Sequence, residues 1–291
     1  MTNSINKTTS GLINGFLGML IFSGSLPATR AAVASFDPLF LTVARASIAG
    51  ALGCGLLLAF RQVRPTKRDL AALAIVSLCV VIGFPLLTAL ALQHMTSAHS
   101  LVFIALLPLS TAMFAVLRGG ERPRPVFWLF SGLGSLLVIG FALSQGAGSA
   151  SAADLLMISA VLMCGLGYAE GASLSRRLGG WQVICWALTL ALPLSLIAAV
   201  ITMPPALAVV TPGAWAGLAY VSLFSMLIGF IFWYRGLAQG GTAAVGQLQL
   251  LQPFFGLGLA AALLHEAVSP ALLATTLGVI FCVAGARKMA R

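Results

Sequence analysis

Three polar side chains lie inside long apolar stretches of this sequence, where they are strong candidates for chemistry. Glu170 is the only acidic residue deep within such a stretch, and Gln249 and Gln252 lie three residues apart in another. Polar groups are costly in lipid, so these side chains should face protein or a water-filled cavity. A carboxylate there could couple proton or cation movement to another process, although a salt bridge to Arg176 would also explain it. The two amides share one helix face and could bind the polar part of a small molecule or hydrogen-bond neighbouring helices.

Aromatic residues in other apolar stretches complement these amides. Phe230 and Tyr234 lie four residues apart on one helix face, and Phe22 and Tyr168 occupy matching positions 146 residues apart. A cavity walled by such rings and holding a few amides would suit an amphipathic small molecule. We therefore predict that the ligand contacts Phe22, Tyr168, Phe230, Tyr234, Gln249 and Gln252.

Prolines mark possible hinges, because a proline inside a helix frees a backbone carbonyl and bends the helix. Pro85, Pro108 and Pro253 fall inside apolar stretches, and the last two lie 145 residues apart. Kinks at equivalent positions favour hinges or helix breaks that face a pathway. His99 lies beside the short loop before the fourth apolar stretch and could titrate near neutral pH, so it is a further candidate for gating.

The sequence lacks the residue patterns of common enzymes and metal sites. It has no glycine-rich phosphate loop, no intramembrane histidine cluster with metal-ligand spacing and no serine with a credible base. The five cysteines are odd in number and scattered, which favours packing roles over a redox pair or a metal site. We therefore expect no enzymatic activity, no cofactor and no metal.

Composition defines the environment of these residues. Apolar residues make up 60% of the 291 residues, charged residues make up 8%, and mean hydropathy is +1.05. These values lie far outside the soluble range. The stretches that could each cross a bilayer as a helix of about 20 residues lie near 11–32, 37–60, 70–92, 97–117, 125–143, 153–175, 181–202, 213–236, 243–264 and 269–287. The sequence therefore predicts an all-α membrane protein with ten transmembrane helices.

The formal net charge of +10 reflects topology and not a nucleic-acid partner. Lys and Arg cluster in alternate loops, such as 61–68 and 118–124, whereas the loop 145–149 has none. Loops rich in these residues face the cytoplasm, which predicts that both termini are cytoplasmic. Anionic lipid headgroups would then contact the basic residues. Only Arg30 and Arg45 fall on or near the opposite side.

The second half of the chain repeats the first. A shift of 145 residues pairs Pro108 with Pro253, Glu121 with Glu266, and Pro125 with Pro270. Because five helices per copy is an odd number, the copies should run in opposite directions across the bilayer. This predicts two inverted five-helix repeats, residues 1–146 and 147–291, with a binding site between them near the midplane. The paired glutamates lie at helix ends, where we expect them to cap helices or fix loops.

These repeated elements, together with Arg176 after the sixth stretch, resemble the drug/metabolite transporter superfamily, specifically its EamA-type ten-helix exporters. Within that group the chain looks most like the YddG-type exporters of aromatic and other amino acids. The resemblance implies a central cavity lined by spans 1, 3, 4, 6, 8 and 9. It also implies export of amino acids and related small metabolites across the bacterial inner membrane by alternating access, by a monomer or weak dimer.

Other readings remain open at this point. A transporter of the same fold could carry drugs, cations or sugar derivatives, since no short motif defines the substrate. An intramembrane enzyme would need a polar catalytic group facing a water-filled pocket, and only Glu170 and the glutamines come near that requirement.

Overall fold

The computed structural model describes residues 2–95, 100, 103–144, 152–256 and 270–289, and over these residues the chain is helical without β-strands. The α-helices of the first half are α1 (Thr2–Ser23), α2 (Ser25–Val33), α3 (Pro38–Ala59), α4 (Lys67–Val76), α5 (Phe84–His94), α6 (Leu107–Gly119) and α7 (Pro125–Ser144). Those of the second half are α8 (Ala152–Leu178), α9 (Gly180–Ile201), α10 (Pro212–Tyr220), α11 (Gly229–Gly240), α12 (Thr242–Gly246) and α13 (Pro270–Met289). The predicted all-α class is confirmed for the described residues.

Six helical segments are long and apolar enough to cross a membrane. They are Lys7–Val33, Pro38–Ala59, Lys67–His94, Ala152–Leu178, Gly180–Ile201 and Pro212–Gly240. These segments coincide closely with the first three predicted spans of each half, which are spans 1 to 3 and 6 to 8. The remaining four predicted spans correspond to shorter described helices, including α6, α7, α12 and α13, or extend into residues outside the described ranges.

The outer surface of these helices is apolar, as contact with lipid requires. Large aliphatic side chains on it are between 66 and 76% exposed, and they include Leu58, Leu136, Leu194 and Val200. In contrast, the largest cluster of buried apolar side chains lies where spans of both halves meet, and it includes Phe22, Tyr168 and Phe230.

The first span is interrupted at Gly24, between α1 and α2. Pro27 has no amide hydrogen, so the carbonyl of Ser23 cannot receive its usual helical hydrogen bond. Nearby, the carbonyl of Ile21 accepts a hydrogen bond from the Tyr220 hydroxyl at 2.7 Å. A Cβ on Gly24 would lie 2.4 Å from that hydroxyl oxygen, so any larger residue would displace the tyrosine.

The second span begins with a rigid cap. The Asp37 side chain accepts hydrogen bonds from the backbone amides of Leu39 and Phe40, at 2.8 and 3.2 Å. Pro38 occupies the first helical position, where the missing amide hydrogen is harmless. The cap fixes where α3 starts and therefore the depth of every side chain along it.

The third span of each half contains a π-helix at its centre. The first π-segment is Ser77–Gly83, between α4 and α5, and the second π-segment is Val221–Ile228, between α10 and α11. The sequence pairs Ser77 with Ser222 at the 145-residue shift, so the two irregularities occupy matched positions. π-helical turns are rare and frequently lie at functional sites.

A second pair of irregularities follows the same shift. In the fourth span, Ala105 and Leu106 form a turn before α6 starts at Leu107. In the ninth, the 3₁₀-helix Gln247–Leu251 precedes a helical stretch over 252–256. The helices that follow these two irregularities start at Leu107 and Gln252, which are 145 residues apart. Each of these helices has a proline as its second residue.

Helix pairs cross between the two halves. α1 packs along α11, and α8 packs along the first π-segment and α5, so each half's first span lies against the other's third. α3 also packs along α9, and α7 along α13. The halves are therefore interlocked and do not form separate bundles.

Glycines bring α1 and α11 into backbone contact. A Cβ on Gly11 would lie 2.4 Å from the Gly240 nitrogen, and one on Gly236 would lie 2.5 Å from the Gly15 nitrogen. Close backbone approach through small residues is the usual way membrane helices pack tightly. The contact closes the space between these helices at the end where α1 begins.

Candidate functional site

One cavity lies among helices of both halves and is the candidate functional site. It contains about 550 Å³ of space between atoms, counting the part open to solvent. Its lining residues are Phe22, Ser25, Leu26, Thr29, Arg45, Val80, Phe84, Pro85, Thr88, Ile104, Leu107, Tyr168, Ser225, Phe230, Gln249 and Gln252. Most of the wall area is apolar, as in small-molecule sites generally, and eight of the sixteen lining residues add a polar group.

Five of the six predicted ligand-contacting residues line this cavity: Phe22, Tyr168, Phe230, Gln249 and Gln252. The Phe22 and Phe230 rings lie 4.9 Å apart, and the Tyr168 and Phe230 rings lie 5.9 Å apart in an edge-to-face arrangement. These separations are typical of favourable aromatic pairs. The three rings, which come from the first, sixth and eighth spans, form one continuous apolar wall.

Tyr234, the sixth predicted residue, is not among the lining residues. It lies one turn beyond Phe230 with its ring 5.3 Å from that of Phe230. Its hydroxyl donates a hydrogen bond to the Gly167 carbonyl at 3.1 Å. Tyr234 therefore packs behind the cavity wall and ties α11 to α8.

Trp233 is a further aromatic residue that sequence reasoning missed. Its ring lies 6.0 Å from Phe22 and 5.4 Å from Tyr168, and its side chain is fully buried. We call Phe22, Tyr168, Phe230, Trp233 and Tyr234 the aromatic cluster. It fills the space on one side of the cavity, between α1, α8 and α11.

The two glutamines link the ninth span to the rest of the cavity wall. The Gln249 side-chain amide donates to the Tyr168 hydroxyl at 3.3 Å, and that of Gln252 donates to the Phe22 carbonyl at 3.2 Å. Both side chains are buried. The Gln249 amide oxygen is buried and has no hydrogen-bond partner among the described residues.

Arg45 is the one charged residue among those lining the cavity, and it was not among the predicted site residues. It lies in α3, is only 6% exposed, and donates from Nη2 to the Ser225 hydroxyl at 3.3 Å. Ser225 in turn accepts from the Ser25 hydroxyl at 2.8 Å. The sequence did carry a signal for this residue, because a charged residue inside an apolar span usually has a functional role. The sequence analysis used Arg45 only to assign topology.

The predicted hinge residues occupy different places around the cavity. Pro85 lines it, at the second residue of α5 just after the first π-segment. Pro108 is the second residue of α6 and follows Leu107, which also lines the cavity. Pro253 falls in the stretch 252–256, and His99 lies outside the described residues.

Ion pairs join α8 to α4, to α6 and to the loop that follows α6. Glu170 contacts Arg118 and not Arg176, the partner that the sequence offered as an alternative to a coupling role. Arg176 instead contacts Glu121 at 2.7 Å. The six-residue separation of Glu170 and Arg176 puts their side chains on different helix faces, since only residues three or four apart align.

Glu121 also caps the start of the ninth span, which confirms the prediction for this residue. Its carboxylate oxygens accept hydrogen bonds from the backbone amides of Thr242 and Ala243, each at 2.9 Å. A carboxylate at a helix N-terminus satisfies free amides and interacts favourably with the helix dipole. Glu266, its counterpart in the sequence, lies outside the described residues.

A third ion pair lies between Arg177 and Asp69 at 2.7 Å. The Asp69 carboxylate also accepts hydrogen bonds from the side-chain hydroxyl and the backbone amide of Thr66 at the start of α4. We call these three pairs the ionic layer: Arg118–Glu170, Arg176–Glu121 and Arg177–Asp69. Together they connect the third, fourth, sixth and ninth spans.

Within the described ranges, no three His, Cys, Asp or Glu side chains are grouped in a way that could hold a metal ion. The five cysteines are free thiols. The chemistry available in the cavity is therefore that of binding by rings, hydroxyls, amides and one guanidinium.

The helical spans, the apolar outer surface and the central cavity indicate a multi-pass membrane transporter. Residues 9–143 and 151–288 each match the EamA-like transporter family, so the chain belongs to that family. The two matched ranges together cover nearly all of it. Its substrate is a small molecule, and its surroundings are membrane lipids.

The chain is also similar to individual proteins. It is 68% identical to "Uncharacterized transporter YdeK" of Bacillus subtilis (strain 168) over 287 residues, which is 99% of this chain and 100% of that protein. A protein of known crystal structure shares 21% identity and superposes with a TM-score of 0.75, covering 95% of this chain and 98% of its own. That similarity supports the fold alone.

Proposed function

We propose that the protein exports neutral amino acids, aromatic ones foremost, and related small metabolites across the bacterial inner membrane by alternating access. The observation that carries the proposal is the amphipathic cavity between the two halves. Its aromatic wall suits an apolar side chain. Arg45 Nε, Thr88 Oγ1 and Gln249 Oε1 are buried, lack a hydrogen-bond partner among the described residues and line the same space, so they suit the polar atoms of an amino acid.

The proposed architecture is ten spans in two inverted repeats, residues 1–146 and 147–291, with both termini in the cytoplasm. Matched π-segments, matched helix starts at 107 and 252, and pairing of each first span with the opposite third span support it. The alternation of basic and uncharged loops supports the orientation. Monomer or weak dimer is the expected state.

In this orientation the ionic layer lies at the cytoplasmic side. Along the fourth span, Arg118 lies 11 residues beyond the cavity-lining Leu107; along the third, Asp69 lies 11 residues before Val80. At 1.5 Å per residue, each separation is about 16 Å. The aromatic cluster and the ionic layer would therefore close the cavity toward the cytoplasm.

Alternating access requires that closure to form and break in each transport cycle. We infer that Glu170 contributes to closure through Arg118. Glu121 could also take part in the opening, because it caps the start of the ninth span while it forms an ion pair with Arg176 of the sixth. Bending at Pro108 and Pro253 would accompany the change.

Drugs, cations and sugar derivatives are the alternative substrates within this fold. None of the cavity-lining residues is acidic, and one is an arginine, which disfavours a cationic substrate.

The test is uptake by proteoliposomes that contain the purified protein, with a panel of labelled amino acids, a cationic dye and a labelled sugar. We expect uptake of phenylalanine, leucine and other neutral amino acids above that of protein-free liposomes. Uptake of the dye or the sugar without any amino acid would contradict the proposal.

A further inference from the structure

Arg45 is a buried charge at a place where burial is unfavourable. It is the eighth residue of α3, so its Cα lies about 10 Å along the helix from its start. Its side chain does not extend to the surface, because the residue is 94% buried. Placing an unpaired charge at such a depth carries a large free-energy penalty, and intramembrane charges are normally paired or functional.

No carboxylate of the described residues forms an ion pair with this guanidinium. Glu121, Glu170 and Asp69 are all engaged in the ionic layer, and Asp37 caps the start of α3. The fifth acid of the described residues, Asp154, lies in the first turn of α8. Asp37 lies two turns away from Arg45 along the same helix. The charge of Arg45 is therefore not balanced by a neighbouring acid of the described protein.

The surroundings of Arg45 hold it in place without neutralising it. Ser225, fixed by Ser25, accepts one hydrogen from Nη2, and the Nε hydrogen has no acceptor in the described part of the chain. A guanidinium that is held through Nη2 while its Nε hydrogen has no acceptor is suited to a carboxylate, whose two oxygens can accept parallel hydrogen bonds. Arg45 is one of the residues that line the cavity between the two halves.

We propose that Arg45 is the substrate-recognition residue of this transporter and binds the carboxylate of its cargo. This inference rests on the proposed function and extends it to a named specificity determinant. Binding neutralises the buried charge, so the carboxylate form of a ligand is favoured over its neutral amide. For an amino acid, the ammonium group would then meet the acceptors Gln249 Oε1 and Thr88 Oγ1 in the same cavity.

The test compares ligands that differ only in charge, in wild type and variants. Thermal unfolding of the purified protein in detergent is measured with 3-phenylpropanoate, 3-phenylpropanamide, phenylalanine and phenylalaninamide. We expect each carboxylate to bind about 10- to 100-fold more tightly than its amide, since charge-assisted hydrogen bonds dominate the difference. Arg45→Gln should abolish that preference, and Arg45→Lys should restore part of it.

Arg30→Gln is the matched control, because Arg30 lies on α2, is exposed and donates to the Met95 carbonyl at 3.3 Å without lining the cavity. It should keep the full preference for carboxylates. Equal stabilisation by acid and amide in the wild type, no stabilisation by any carboxylate, or an unchanged preference in Arg45→Gln would overturn the inference. The wild-type comparison alone decides the matter if Arg45→Gln does not fold.

The two proposals fail separately. If carboxylates bind through Arg45 but proteoliposomes take up no amino acid, the proposed function is wrong and the recognition role stands. If amino acids are transported and their amides compete equally well, the recognition role is wrong and the transport function stands.

Discussion

The Arg118–Glu170 ion pair provides a direct test of the proposed closure toward the cytoplasm. It joins α6 to α8 beyond the aromatic cluster, so it must break or rearrange if that side opens. Glu170→Gln retains the shape of the side chain and removes its charge. We therefore expect this variant to shift the protein toward the state that opens to the cytoplasm.

The magnitude follows from the exposure of the two side chains. The Arg118 side chain is 50% exposed and that of Glu170 is 10% exposed. Solvent around the guanidinium screens the attraction, so the pair should contribute about 1 kcal/mol, the upper end for surface pairs. It should not reach the 3–5 kcal/mol of a broken buried pair. A change of about 1 kcal/mol alters the ratio of the two states about fivefold.

The assay is the labelling rate of a cavity cysteine by a membrane-impermeant maleimide in inside-out vesicles. Val80→Cys, in a background free of the native cysteines, places the reporter on the cavity wall. Glu170→Gln should raise the rate about fivefold. Arg118→Gln should do the same, and the double variant should add nothing, because both changes remove one interaction.

Arg68→Gln is the control, since Arg68 is exposed near the same end of the third span and lies outside the ionic layer. It should leave the labelling rate unchanged. An unchanged rate in Glu170→Gln would refute the reasoning, and so would effects of the two single variants that add in full.

Three other predictions concern the cavity, the kinks and the cap. Gln252→Leu should lower transport about fivefold, because it removes roughly 1 kcal/mol of hydrogen bonding to the bound molecule, and should leave the Tm near wild type. A collapsed Tm with normal transport per folded molecule would mean a structural role. Pro108→Ala and Pro253→Ala should shift accessibility of the cavity cysteine in opposite directions, each by about 1 kcal/mol, and equal or absent effects would assign both prolines to packing. Glu121→Gln should lower stability by about 1 kcal/mol through loss of the charged cap, measured as a lower Tm in detergent, and an unchanged Tm would contradict that assignment.

Much of the cavity wall could be predicted from sequence because lipid excludes polar groups. Gln249 and Gln252 had to face the protein interior, and the structure places both at the cavity. Phe22 and Tyr168 followed from their matched positions in the two halves. Tyr234 shares a helix face with Phe230, yet four residues advance it about 6 Å along the axis, and that distance carries it past the cavity.

Other features depended on contacts between distant parts of the chain. Glu170 lies close to Arg176 in sequence, but its partner Arg118 comes from the fourth span. The role of Arg45 required knowledge that Ser225, 180 residues away, holds the guanidinium without neutralising it. Both π-segments end at an Ile-Gly-Phe triplet, residues 82–84 and 228–230, but such a triplet does not by itself predict a π-helix, so their presence followed only from the folded backbone.

Counterflow of labelled phenylalanine tests the central claim of alternating access most directly. Proteoliposomes are loaded with unlabelled phenylalanine and diluted into a trace of the labelled form. A carrier with one cavity that faces each side in turn predicts a transient accumulation of label above its equilibrium level, which Gln252→Leu should reduce. A monotonic rise to equilibrium, as an open pore would give, would contradict the account.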